Sequence, residues 1–338
     1  MEKGKKSLLT RNKLTFACSL VVAAVAMAGN INDVRGNDVR DGTTAAVPAV
    51  AFSGVRNCVV HRGDGVRGLP ENSLEAALKA WGSGFIPECD VRYTAEKKVI
   101  AFHDGAIAGK PLNSYSWEWL KDYDIGSRKG AQWSHVRIPT WDAMFAAMEG
   151  RPEWRILADY KDVPPDVTAA LAKKHGVQGQ VYFCTGSASL IHVWKKANPE
   201  GKVLMWIWTG MWGDEKKWDI KNPEVAAKCE ATLEKRLAEF DRPGYPRPDI
   251  VQVHVRVDFE KPGDPFAPSS ALLRRAFAKL KSLGIEAQVM PWTGGDKVET
   301  YERLWELGPD SFGTDYPEVL REFLLKRGLV QQQKGTQK

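Results

Sequence analysis

A few short clusters hold the side chains best suited to chemistry. Glu88 and Asp90 lie two apart, and on a strand residues i and i+2 share a face. Two adjacent carboxylates resist burial unless a cation compensates. The pair suits a hard divalent metal with oxygen ligands, and equally a solvated strand end or a salt-bridged pair. Asp159 and Lys161 share a face by the same rule. Asp159 would complete a metal triad with Glu88 and Asp90. Lys161 would bring positive charge to an anion such as phosphate, or simply neutralise Asp159. His103 has acid–base chemistry to offer beside a metal, with Asp104 to orient its ring. His61 alone reads more readily as a hydrogen-bonded structural histidine, and Gly63 lets the backbone turn tightly after it. Pro70-Glu71-Asn72-Ser73 precedes a helical stretch. Asn72 is placed to cap that helix, with Glu75 as its capping-box partner, and Glu71 to support a metal ligand from behind.

These residues end short apolar runs bounded by turns. Eight such runs are expected as strands: 57–61, 85–91, 154–161, 180–184, 203–208, 249–254, 285–292 and 311–315. Amphipathic stretches separate most of them, at 73–81, 165–174, 223–240, 269–283 and 297–307. Strand then helix, eight times, predicts an α/β fold of the (β/α)8 TIM-barrel type, with an open doubly wound sheet as the alternative. In a barrel the active site lies at the C-terminal ends of the strands, where these polar residues fall. Trp292 would wall the pocket or belong to the core, and Asp315 would brace barrel closure. Val99–His103 reads as an extra strand pairing back on the second, and 105–137 as an insertion after that second strand. A long connection of this kind is often functional.

Composition sets the outer bounds. A chain of 338 residues, 43% hydrophobic and 27% charged, can bury a full core. Five basic residues precede an apolar run, Leu14–Ala28, which ends in Ala26-Met27-Ala28. Residues 1–28 therefore read as a secretory signal peptide, with an uncleaved anchor as the alternative, and 29–50 as a linker to a domain at 51–330. The expected product is exported, periplasmic or secreted, with no stable transmembrane domain once the signal is cleaved. The chain holds 48 Lys/Arg and 42 Asp/Glu; residues 1–28 take five and one of these, leaving 43 and 41, a net of +2. With no basic block interleaved with aromatics, nucleic acid is not an expected partner. Cys58, Cys89, Cys184 and Cys229 show no zinc or CxxC spacing and are expected as buried free thiols rather than disulfides. Thirteen tryptophans is a high count. Trp206, Trp208 and Trp212, with the insertion aromatics Trp117, Trp119, Tyr123 and Trp133, would either line a pocket for a choline-like cation or lipid glycerol, or pack as core.

Taken in order, the clusters resemble the glycerophosphodiester phosphodiesterase family. The resemblance rests on His61-Arg62-Gly63, Pro70-Glu71-Asn72, Glu88-Cys89-Asp90-Val91, His103-Asp104, Arg137-Ile138-Pro139-Thr140, Asp159-Tyr160-Lys161, Trp292 and Thr314-Asp315-Tyr316-Pro317, and spans roughly 57–325. It implies a TIM barrel and a metal-dependent phosphodiesterase that cleaves glycerophosphodiesters to glycerol 3-phosphate and an alcohol. By match, His61 and His103 are the acid–base pair. Glu88, Asp90 and Asp159 hold one divalent cation, Ca2+ or Mg2+, and Arg62 and Lys161 hold the phosphate. Three positions depart from the family pattern: Asp159 where Glu is usual, Gly105–Lys110 where Leu and Arg-Thr often follow His-Asp, and Thr293-Gly294-Gly295 where Asn often follows the Trp.

Other readings keep part of this picture. Related barrels act on lysophospholipids or sphingomyelin by transferring the phosphoryl group to an internal hydroxyl, giving a cyclic phosphate. A catalytically silent barrel would bind a phospholipid headgroup, but would not need both histidines and three carboxylates. A glycosidase would use two of the carboxylates and neither histidine.

Overall fold

A computed structural model describes residues 57–64, 68–210 and 219–330. The expected signal peptide (1–28) and linker (29–50), the first residues of the expected domain and Trp212 lie outside these described residues.

Eight parallel strands close on themselves: β1 (Val59–Val60), β2 (Ile86–Tyr93), β3 (Ile156–Tyr160), β4 (Val181–Thr185), β5 (Lys202–Ile207), β6 (Ile250–Val257), β7 (Glu286–Pro291) and β8 (Ser311–Thr314). Each pairs with the next, and β1 pairs with both β2 and β8. A helix follows every strand: α1 (Leu74–Gly82), α2 (Trp141–Met148), α3 (Pro165–Lys174), α4 (Ala188–Ala197), α5 (Pro223–Glu239), α6 (Ser270–Ser282), α7 (Val298–Trp305) and α8 (Pro317–Lys326). The expected (β/α)8 barrel is therefore present, and the open sheet is not.

Two side-chain layers form from the period-two rule. Outward residues such as Cys89, Val251, Val253 and Val255 join the core between sheet and helices. Inward residues Val59, Ile86, Leu157, Tyr182, Cys184, Leu204 and Ile250 plug the barrel floor. All four described cysteines are free and buried, as expected. Among the described residues, no helix is long and apolar enough to cross a membrane.

Element ends differ from the sequence reading for local reasons. β1 is two residues long because Asn57 and Arg62 both adopt left-handed backbone, with φ of 60° and 52°. β6 runs on to Val257 because its alternation continues past His254. The extra strand pairs antiparallel with the end of β2 as expected, but spans only Val99–Ala101, so His103 lies beyond it. The rest of the long β2–α2 connection carries a short hairpin, 106–107 with 110–111, and one helical turn at Trp117–Leu120. It buries its own small core of Ile100, Ile107, Leu112, Leu120 and Ile138, against which Phe102, Tyr115, Trp117 and Tyr123 pack. Helix α1 is capped by Ser73, whose side chain accepts from the Ala76 N–H, and not by Asn72 as expected. Asn72 cannot serve because its φ is 57° and its side chain is engaged elsewhere.

Candidate active site

Barrel register assembles the carboxylates. Asp90 on β2 is the direct partner of Asp159 on β3, and Glu88 sits one inward position below Asp90. Glu88, Asp90 and Asp159 each offer an oxygen, all lying within 4.8 Å of one another. All three are buried. The shorter Asp159 thus still reaches the cluster. Lys161 bonds Asp159 and lies 2.9 Å from Asp90 Oδ1. Burial, with Lys161 opposing it, pushes the Asp159 carboxyl up. Burial and the adjacent Asp90 push Glu88 up as well. Asp90 itself is held down against burial by Lys161. One ammonium therefore does not offset three crowded carboxylates. A hard divalent cation with oxygen ligands fits this donor set.

The turn after β1 ties the cluster together. Arg62, in its left-handed conformation, donates its backbone N–H to Glu88 Oε2 at 2.7 Å. Gly63 follows at φ 89°, where an added Cβ would stand 3.0 Å from Ala76 Cβ, so glycine is required. The Arg62 guanidinium pairs with Glu71 at 2.6 Å. Glu71 therefore holds the arginine whose backbone N–H bonds Glu88, and reaches the carboxylate cluster through that residue. Asn72 holds Asp90 by two bonds: its Nδ2 donates to Oδ2 at 2.8 Å, and its Oδ1 accepts the Asp90 N–H at 2.7 Å. A left-handed asparagine that both bends the chain and orients a carboxylate was signalled only by its place beside Glu71.

Both histidines are oriented by carboxylates. His61 Nδ1 lies 2.7 Å from Asp315 Oδ1, and His103 Nδ1 lies 2.9 Å from Asp104 Oδ1. In each ring it is Nδ1 that meets the carboxylate, and Nε2 lies on the other side. Asp104 makes the contact with His103 that was expected of it. Asp315, expected to brace the barrel, instead holds a histidine from the opposite end of the chain, 254 residues away. Burial opposes the charged form of His61, but the hydrogen bond and charge of Asp315 outweigh it and the net shift is upward.

His61, Arg62, Glu88, His103, Asp159, Lys161 and Trp292 all line one cavity of about 330 Å3. Its other wall is largely apolar and includes Trp206, Trp208 and Met290. Trp206 and Trp208 are thus pocket residues. Of the insertion aromatics, Tyr123 lines a smaller cavity of about 140 Å3 that shares residues with the first, and Trp119 stacks on Tyr115 at 4.5 Å. The smaller cavity shares Arg62 and His103 with the larger one. Two residues of the larger cavity, Gln252 and His254, went unread in the sequence. Their signal was the run Ile250–Val257, in which polar residues alternate with valines and face inward.

The sequence matches the glycerophosphoryl diester phosphodiesterase family over residues 61–319. The chain belongs to that family. Its members are phosphoric diester hydrolases. Solved structures of similar fold include a glycerophosphodiester phosphodiesterase from Agrobacterium tumefaciens, 19% identical with a TM-score of 0.55, covering 79% of this chain and 99% of that one. A glycerophosphoryl diester phosphodiesterase from Parabacteroides distasonis is 18% identical with a TM-score of 0.57, covering 83% and 90%. A phosphodiesterase from Oleispira antarctica, solved with the product sn-glycerol-3-phosphate, is 16% identical with a TM-score of 0.56, covering 80% and 97%. At these identities the likeness is one of fold. No curated protein matches the chain.

Proposed function

We propose that this protein is a metal-dependent hydrolase of glycerophosphodiesters, releasing glycerol 3-phosphate and an alcohol by acid–base catalysis between His61 and His103. The observation that carries the reading is the single cavity lined by both histidines, Glu88, Asp159, Arg62 and Lys161. A phosphodiester is a singly charged anion with a poor alkoxide leaving group. Glu88, Asp90 and Asp159 would hold Ca2+ or Mg2+, which when bound supplies positive charge to a non-bridging phosphate oxygen. Arg62 and Lys161 stabilise the charge that develops on the same group. One histidine takes a proton at Nε2 from the nucleophile, and the other gives one to the leaving alkoxide oxygen; the nucleophile is water, or the glycerol hydroxyl followed by water opening the resulting cyclic phosphate, so that glycerol 3-phosphate and an alcohol result. Trp292, 5.4 Å from the His61 ring, walls the reacting phosphate.

The oxygen donors of the cluster favour Ca2+ or Mg2+ over softer metals. The basic and then apolar residues 1–28 support export, which puts the reaction in the periplasm or outside the cell. A lysolipid substrate would need an apolar rim for its acyl chain. The glycerophosphodiester reading is preferred because the similar fold from Oleispira antarctica was solved with sn-glycerol-3-phosphate as its product.

The test is product release from a panel of glycerophosphodiesters and lysophospholipids, with Ca2+, Mg2+ or EDTA. Metal-dependent glycerol 3-phosphate is the expected product. Cyclic phosphate from lysolipids would move the protein to the transfer reaction, and no turnover with metal present would sink the hydrolytic reading.

The His61–Asp315 pair makes a pH prediction. With His61 as the base, which works when neutral, its raised pKa puts the acid limb of kcat/KM above that of a free imidazole. Asp315→Asn removes the charge that raises it. The acid limb should move to lower pH, and kcat should fall about tenfold or more as the ring loses its orientation. An unmoved acid limb would show that His61 is not the titrating group.

A further inference from the structure

We propose that His254 is a specificity-determining residue whose Nδ1 accepts a hydrogen bond from a hydroxyl on the glycerol arm of the substrate. This deepens the phosphodiester reading and rests on it. His254 lines the same cavity as His61 and Lys161 but plays no part in the proton transfers above. It is 8% exposed, and its Nδ1 is buried with no hydrogen-bond partner.

The tautomer is fixed by a chain of buried amides. Gln288 Nε2 lies 2.8 Å from the Asn57 backbone carbonyl, which can only accept, so Nε2 is the donor and the amide orientation is set. Gln288 Oε1 then accepts from Gln252 Nε2 at 2.5 Å. That leaves Gln252 Oε1 facing His254 Nε2 at 2.8 Å, and the imidazole must be the donor. The proton therefore sits on Nε2, and Nδ1 presents a lone pair. Burial, with His61 nearby, pushes the pKa of His254 down to about 3, so the ring stays neutral in the working range.

The surroundings fix the ring and place it near the reaction. His254 stacks on Trp292 at 5.1 Å and on Trp206 at 6.1 Å, and Trp208 meets it edge-on at 5.5 Å. Trp292 also touches His61, at 5.4 Å. An acceptor at His254 is thus one indole away from the proposed acid–base nitrogen. One face each of Trp206 and Trp292 is covered by His254, and the Arg256 guanidinium lies over Trp208 at 5.3 Å. A neutral acceptor beside one indole that already holds a cation, Trp208, and two whose faces it covers itself suits an uncharged hydroxyl better than a quaternary ammonium.

The test compares two probes by calorimetry with Mg2+ present: glycerol 3-phosphate, and n-propyl phosphate, which lacks both hydroxyls. The wild type should bind glycerol 3-phosphate about tenfold more tightly. His254→Phe keeps a stacking ring and removes the acceptor, and should bring the ratio to within about twofold of one. His254→Asn keeps an acceptor oxygen near the position of Nδ1 and should retain most of the preference. A wild-type ratio near one, or an unchanged ratio in His254→Phe, overturns the assignment while leaving the hydrolytic reading intact. Preferred binding of glycerol 3-phosphate without turnover of any diester would support the assignment and overturn hydrolysis. Failure of both probes to bind the wild type overturns both.

Discussion

Alanine in place of either His61 or His103 should lower kcat on a glycerophosphodiester by about 10²–10⁴-fold, the usual worth of a positioned proton donor or acceptor. The argument is geometric. Each imidazole has its Nδ1 tied to a carboxylate, and both rings open onto the cavity that holds the carboxylate cluster. The two variants should part in one respect. A p-nitrophenyl leaving group needs no proton, so it should restore most of the activity of whichever variant has lost the acid, and none to the variant that has lost the base. Equal loss in both variants with both leaving groups would contradict the division of labour. The measurement is steady-state kinetics on paired alkyl and p-nitrophenyl diesters.

Glu88→Gln should abolish most activity and yet raise the stability of the metal-free protein. Glu88 is a buried carboxyl raised in pKa by burial and by Asp90. A raised folded-state value means that ionisation costs stability. Metal-free wild type should therefore lose stability as pH rises from the ordinary carboxylate range, near 4.3, toward the folded pKa. Glutamine removes that cost and can still accept the Arg62 N–H through its amide oxygen. Metal-free Glu88→Gln should then melt above metal-free wild type at pH 7–8, by roughly 2–4 °C for each kcal/mol relieved. Ca2+ or Mg2+ should raise the melting temperature of wild type and do much less for the variant. Activity should fall by about 10²-fold or more, since a metal site supplies several kcal/mol of charge stabilisation. Thermal scans with and without EDTA decide the matter: a variant that keeps the full metal-induced shift would show that Glu88 is not a ligand.

Much of this arrangement was legible in the sequence because it is local. Strand ends announce the carboxylates, since i and i+2 share a face, and apolar runs alternating with amphipathic stretches announce the barrel. His103-Asp104 is a contact between neighbours, and the sequence carries it directly. Long-range partners are another matter. Nothing near His61 points to Asp315, because only closure of β8 against β1 brings them together. Asn72 was misread as a helix cap because its residue type fits that role equally well; the choice between Asn72 and Ser73 depends on a left-handed backbone that the type alone does not specify. Gln252 and His254 were overlooked for a different reason. Their strand alternates in the usual way, but the polar face of a barrel strand looks inward, and on a solvent-exposed sheet the same pattern would be unremarked.

The β2–α2 connection buries a small core of its own, and it carries His103 on the stretch that leaves its short antiparallel strand. His61, by contrast, is seated on the barrel at the end of β1. One of the two imidazoles thus belongs to the barrel, while the other lies on the connection outside it. The same connection supplies Tyr123, Arg128 and Lys129 to the smaller cavity that His103 also borders. Exchange of residues 94–140 between relatives would move one of the two proposed acid–base histidines together with the wall of the neighbouring cavity. Such an exchange would leave Glu88, Asp90 and Asp159 in place only where position 90 stays on β2 and position 159 on β3, since all three carboxylates sit on barrel strands and none on the connection.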